Sequence, residues 1–217
     1  MGRVRGTLAS AIEGRVGNLI FYKVDGVTYV RSAPGKQSKA KKRKVSPLKK
    51  MSQDKMALTQ QYLKGLTKVI AFGYQEFAEG AKRPYHACVS YTKTHCFSFK
   101  GQEFHIDPAL IKMSRGSLMP AIESKAERTS EGILIFWEDN SWQSSAKPTD
   151  RSFLVLHHPG TKQVVWDFQG SIRSAKQHLI PLSEQAHAKS WHVYLAFSQE
   201  KYKGKVILSD SVYLGEV

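Results

Sequence analysis

Two stretches carry residues whose types could do chemistry. The first is HACVSYTKTHC, which puts His86, Cys88, His95 and Cys96 within eleven residues. Imidazole and thiolate are zinc ligands. The spacing works against a shared ion. On a helix, Cys88 and Cys96 lie roughly 12 Å apart along the axis, and His86 and Cys88 point about 200° apart. That distance also excludes a disulfide. The expectation is two buried thiols acting as small apolar residues, with no metal.

The second stretch is KQSKAKKRKVSPLKK, residues 36–50. It holds eight basic residues, Lys36, Lys39, Lys41, Lys42, Arg43, Lys44, Lys49 and Lys50, and no acid. Unopposed positive charge attracts polyanions, and each lysine that neutralises a phosphate releases a counterion without reading sequence. The other readings of the tract are a solvated linker that aids solubility and, for KKRKV, a nuclear-import signal. Solubility does not need a single sign, and no acid lies between Asp25 and Asp54. Phosphate contact is therefore favoured, with Lys23 and Arg31, and further out Arg3 and Arg5, extending the surface. The tract has no aromatic residue, so base stacking within it is not expected. Phe21, Tyr22 and Tyr29 nearby could stack bases or form core.

Other nucleophile and ligand types are scattered. His105, His157, His158, His178, His187 and His192 stand outside any recognisable nucleophile context. There is no G-x-S-x-G, H-E-x-x-H, phosphate loop or G-x-G-x-x-G. His157-His158 precedes Pro159-Gly160 and reads as a turn pair. Glu138-Asp139-Asn140 reads as a loop, with a cation as the alternative. No catalytic residue, metal or cofactor is expected.

The charge is unevenly placed. The 217 residues carry a net +15. Residues 1–50 hold 13 Lys/Arg against two acids, +11, whereas residues 51–217 hold 20 against 16, +4. A basic end on a near-neutral body reads as an attachment device for something anionic. The apolar fraction of 41% supports a real core. Two cysteines make no disulfide scaffold. No secretory signal, myristoylation site or apolar run of membrane length is visible, so the cytoplasm is the expected compartment and no membrane partner is expected.

Elements must position these residues. In GNLIFYKVDGVTYVRS (17–32), Asp25-Gly26 between apolar runs predicts a two-residue hairpin. Its register sets Val24 against Val27, Tyr22 against Tyr29 and Ile20 against Arg31. The basic tract, ending at Ser46-Pro47, is read as an extended arm. Ser52 is the predicted cap of a helical stripe from Met56 to Phe77, kinked or split at Gly65 and Gly73. Pro84 starts another helical pattern. From about residue 119 the period becomes two: Ile133, Ile135 and Trp137; Phe153 and Val155; Trp166 and Phe168; Trp191, Val193, Leu195 and Phe197. Six or seven short strands predict an antiparallel sandwich.

That half resembles a fibronectin type III or other immunoglobulin-like domain, with Trp137 closing the second strand and the Tyr194 strand pairing with the terminal one. The whole chain resembles an uncharacterised Bacteroidetes-type family of about this length, a domain of unknown function. The matching pieces are GRVGNLIFYKVDGVTYVRSAP (14–34), ACVSYTK (87–93), RGSL (115–118), FWEDNS (136–141), VYLAF (193–197) and SDSVYLGEV (209–217). No catalytic motif comes with it.

The expected architecture is a basic α+β domain, residues 1–118, followed by an all-β immunoglobulin-like sandwich, residues 119–217. The expected function is non-enzymatic binding of nucleic acid or another polyanion by the basic region, with the sandwich making self- or protein contacts. The alternative is a structural subunit of a larger assembly, such as a phage virion component or filament.

Overall fold

Asp25 and Gly26 both take positive φ, 51° and 76°, the geometry a tight hairpin turn needs. In the computed structural model they join β3 (Leu19–Val24) to β4 (Val27–Ser32). The register pairs Val24 with Val27, Tyr22 with Tyr29 and Ile20 with Arg31, as the turn implies. A second tight turn at Gly17-Asn18 adds β2 (Gly14–Val16), and β1 (Gly2–Arg3) pairs on the far side of β4. The antiparallel order is β1-β4-β3-β2.

The described residues are 2–3, 12–35, 45–79, 83–100, 103–201 and 204–217. Chain contacts group into two units, Met1–Gln53 with Ala78–Lys82 and Asp54–Phe77 with Arg83–Val217. Helix α1 (Pro47–Leu63) runs from the first into the second. It starts earlier than the expected cap at Ser52. The Ser46 hydroxyl accepts the Lys49 N–H at 3.3 Å, and proline suits the first helical position.

Gly65, at φ +99°, separates α1 from α2 (Thr67–Gly73). Helix α3 (Pro84–His95) follows, then a hairpin of β5 (Phe97–Lys100) and β6 (Glu103–Ile106). The helical stripe gave no sign of this hairpin. The Lys55 ammonium lies 5.2, 5.9 and 4.9 Å from the ring centres of Phe97, Phe99 and Phe104, a cation held by aromatic faces.

The remaining elements, in chain order, are β7 (Lys125–Arg128), β8 (Gly132–Phe136), β9 (Arg151–His158), β10 (Gln163–Asp167), β11 (Gln177–Pro181), α4 (Glu184–His187), β12 (His192–Lys201), β13 (Lys205–Leu208) and β14 (Val212–Glu216). One antiparallel sheet has the order β11-β8-β7 and another β10-β9-β12-β13. The long β12 pairs β14 near its start and β13 near its end. The fold is mixed, with antiparallel strands in several sheets and largely β.

The larger sheet is buried on both faces. Leu154, Leu156, Val193, Leu195 and Phe197 share a core with Ile133, Ile135 and Ile180 of the smaller sheet. Phe153, Val155, Tyr194 and Ala196 share another with Leu63, Leu66, Val69, Ile70 and Cys88 of the helices. The continuous apolar runs FLVL and VYLAF follow from this double burial. The chain around residue 118, where a domain boundary was expected, is stitched to the last strands. Ser114 Oγ donates to Ser209 O at 2.8 Å, Ser211 N to Ser114 O at 3.0 Å, and Leu118 N to Leu208 O at 2.9 Å.

Candidate nucleic-acid interface

Of the ten predicted contact residues, Lys36, Lys39, Lys41, Lys42, Arg43 and Lys44 lie outside the described residues. Lys49 and Lys50 are exposed in the first turn of α1. That turn has no acid. Free backbone N–H groups already make a helix N-terminus positive, so two lysines there raise the local potential. This is the wrong end of the helix for lysine unless an anion offsets it.

Lys23 and Arg31 are exposed but do not converge. Arg31 is opposite Ile20, on the face of Tyr22, Val24, Val27 and Tyr29; Lys23 is opposite Thr28, on the other face. The pairing instead brings in a residue the sequence reading missed. Arg15 of β2 sits opposite Ile20, which sits opposite Arg31. Arg15 and Arg31 therefore flank Ile20 on one face, beside the stacked Tyr22 and Tyr29 rings, 5.8 Å apart. The signal was available: Gly17-Asn18 is a hairpin turn, and it fixes Arg15 opposite Ile20.

The soft-ligand stretch is split by its helix. Cys88 and Cys96 are fully buried, whereas His86 and His95 are exposed. Burial raises the Cys88 thiol to about 11 and the Cys96 thiol to about 12. Cys96 Sγ donates to Leu110 O at 3.0 Å. Among the described residues no group of three His, Cys, Asp or Glu is placed to hold a metal ion.

His157 is not a turn residue. It lies within β9, one residue before the strand's end, fully buried and edge-on to Tyr62 at 4.9 Å, with neither ring nitrogen hydrogen-bonded among the described residues. Burial pushes its pKa down to about 4, helped by His192 and His158. His158 takes the turn role, accepting the Thr161 N–H at 3.1 Å.

The Glu138–Asn140 segment is built into a loop. Asp139 accepts the Ser141 N–H at 3.0 Å, and its hydrogen bonds with Ser141 hold its carboxyl below the usual range. Asn140 donates to Pro120 O at 3.0 Å and accepts from Arg173. Arg173 is itself fully buried, paired with Asp150 at 3.1 Å and stacked 3.7 Å over Phe197.

A family model described as a family of unknown function, DUF6266, matches residues 11–215. The chain belongs to this family. No curated protein and no solved structure matches it. Membership therefore reaches into both units without adding an activity. Among the described residues no helix is long and apolar enough to cross a membrane.

Proposed function

We propose that this DUF6266 chain is a non-enzymatic binding protein whose basic N-terminal region engages nucleic acid, or a similar polyanion, through phosphate contacts. The observation that carries this reading is the charge split, +11 over residues 1–50 against +4 over residues 51–217. Lys49 and Lys50 at the positive end of α1 support it, as do Arg15 and Arg31 on one sheet face. A bacterial host, which the family resemblance implies, leaves KKRKV no nucleus to enter. Between phosphate contact and a solvated linker, the single sign of the tract favours phosphate contact.

The C-terminal sandwich serves protein contacts in this reading. Its sheets combine the first, second and fifth strands in one and the fourth, third and sixth in the other, where the seventh and the last both pair with the sixth. That order, with Trp137 just beyond the second strand, favours a fibronectin type III-like module. The expected location is the cytoplasm.

A second reading has its own observation. Among the described residues, strand β2 is a sheet edge with Gly14, Arg15 and Val16 all exposed, and β10 pairs only with β9. Open edges accept strands from other chains, which suits a structural subunit of a virion or filament.

Purification with and without nuclease, at low and high salt, separates the two. Nucleic acid that co-purifies at low salt and leaves at high salt is the expected result. A clean protein running as a large, nuclease-insensitive assembly would favour the structural reading instead.

A further inference from the structure

The loop from β8 to β9 is rigid at its base and presents an apolar surface at its tip. At the base, Arg173 ties together Asn140, Asp150 and the Met119 carbonyl, and Gln199 donates to Asp150 at 2.7 Å. At the tip, Trp142 and Ser144 take left-handed φ values of 71° and 51°. Side-chain-bearing residues avoid that region, and such outliers persist only where the surroundings impose them. Here the Trp142 N–H donates to Ala146 O at 2.9 Å, Ala146 N to Gln143 O at 3.0 Å, and Met119 N to Ser145 Oγ at 2.9 Å. The result is an indole that is 77% exposed.

Trp142 walls a cavity of about 610 Å³ together with Ser144, Ser145, Lys147, Glu200 and Lys201. Lys147 and Lys201 are exposed and make no ion pair among the described residues. An exposed indole face can stack on any base, and the two lysines that line the same cavity suit phosphates of the same strand. The Glu200 carboxylate can accept only from donors, which base amino groups are and phosphates are not. A duplex hides its base faces within its own stack, so the ligand is single-stranded.

We propose that Trp142 and its cavity form a contact for single-stranded nucleic acid, with a base on the indole and phosphates at Lys147 and Lys201. The proposal rests on the polyanion reading above but uses a different surface from the basic arm.

The test uses the full chain, an oligothymidylate, a duplex of equal length and a neutral chitooligosaccharide. Oligothymidylate should quench tryptophan emission more than the duplex does. Trp142→Ala should abolish that difference and weaken single-strand binding about tenfold. It should leave duplex affinity and the thermal midpoint unchanged, since the side chain is exposed. Lys147→Gln with Lys201→Gln should flatten the single-strand salt slope by about 1.4. A variant with Lys36, Lys39, Lys41, Lys42, Arg43 and Lys44 changed to Gln should bind more weakly but keep the quenching. Single-strand affinity unchanged in Trp142→Ala would overturn this proposal alone. Quenching by the saccharide and not by oligothymidylate would also overturn it, as a sugar site. Absence of binding to either nucleic acid would overturn it together with the polyanion reading.

Discussion

At the residue scale, Arg173 is the most consequential side chain in the C-terminal unit. Both it and Asp150 are fully buried, so each charge depends on the other. Removing one partner of such a pair leaves a charge in low dielectric, a loss of about 3–5 kcal/mol. Arg173→Met should therefore lower unfolding stability by that order in urea titration, and should loosen the Trp142 loop. A loss under about 1 kcal/mol would mean that water reaches Asp150. The sequence hid this pair because Arg173 meets Asp150 and Asn140 across 23 and 33 residues. Nothing local marks a buried arginine.

His157 makes a prediction about pH. Its folded pKa of about 4 lies below the usual 6.5. The unfolded chain therefore takes up the proton first. This contribution to stability is complete above about pH 6.5, falls as pH drops, and is gone by about pH 4. The slope is at most about 1.4 kcal/mol per pH unit. His157→Phe keeps a ring against Tyr62 and removes the titration. Its stability should fall less than that of wild type between those pH values, measured by denaturant midpoints. Parallel curves for the two proteins would refute the assignment.

At the element scale, the hairpin was legible because one dipeptide fixes every pair along both strands. The C-terminal strands were legible as short β-branched and aromatic runs, although β9 and β12 are buried on both faces and carry apolar residues without a break. The start of α1 was not, because a lysine run conceals helical periodicity, and only the Ser46 cap marks it. The β5–β6 hairpin was missed because a reading fixed on helices ignores a short alternating run such as FSFKGQEFHI. Close approach of chains was equally invisible. A Cβ on Gly73 would sit 2.1 Å from Met113 O. Gly73→Ala should push α2 off that connector, at about 1–3 kcal/mol. Thermal melts should show it; an unchanged midpoint would mean that the connector yields freely.

At the scale of the whole molecule, the charge split was readable from composition alone, but its structural consequence only in part. Pairing set Lys23 and Arg31 on opposite faces and put Arg15 in line with Arg31. Arg15→Gln should weaken polyanion binding more than Lys23→Gln, by a few-fold in anisotropy titrations; the reverse order would dissociate binding from that face. The central claim is that the basic region binds phosphates. The most direct measurement is the affinity for a labelled DNA duplex between 50 and 200 mM salt, for the wild type and the six-residue arm variant. The account predicts a steep loss of affinity with salt in the wild type, and a slope shallower by up to about 5 in the variant. An affinity indifferent to salt, or the same slope in both proteins, would contradict it.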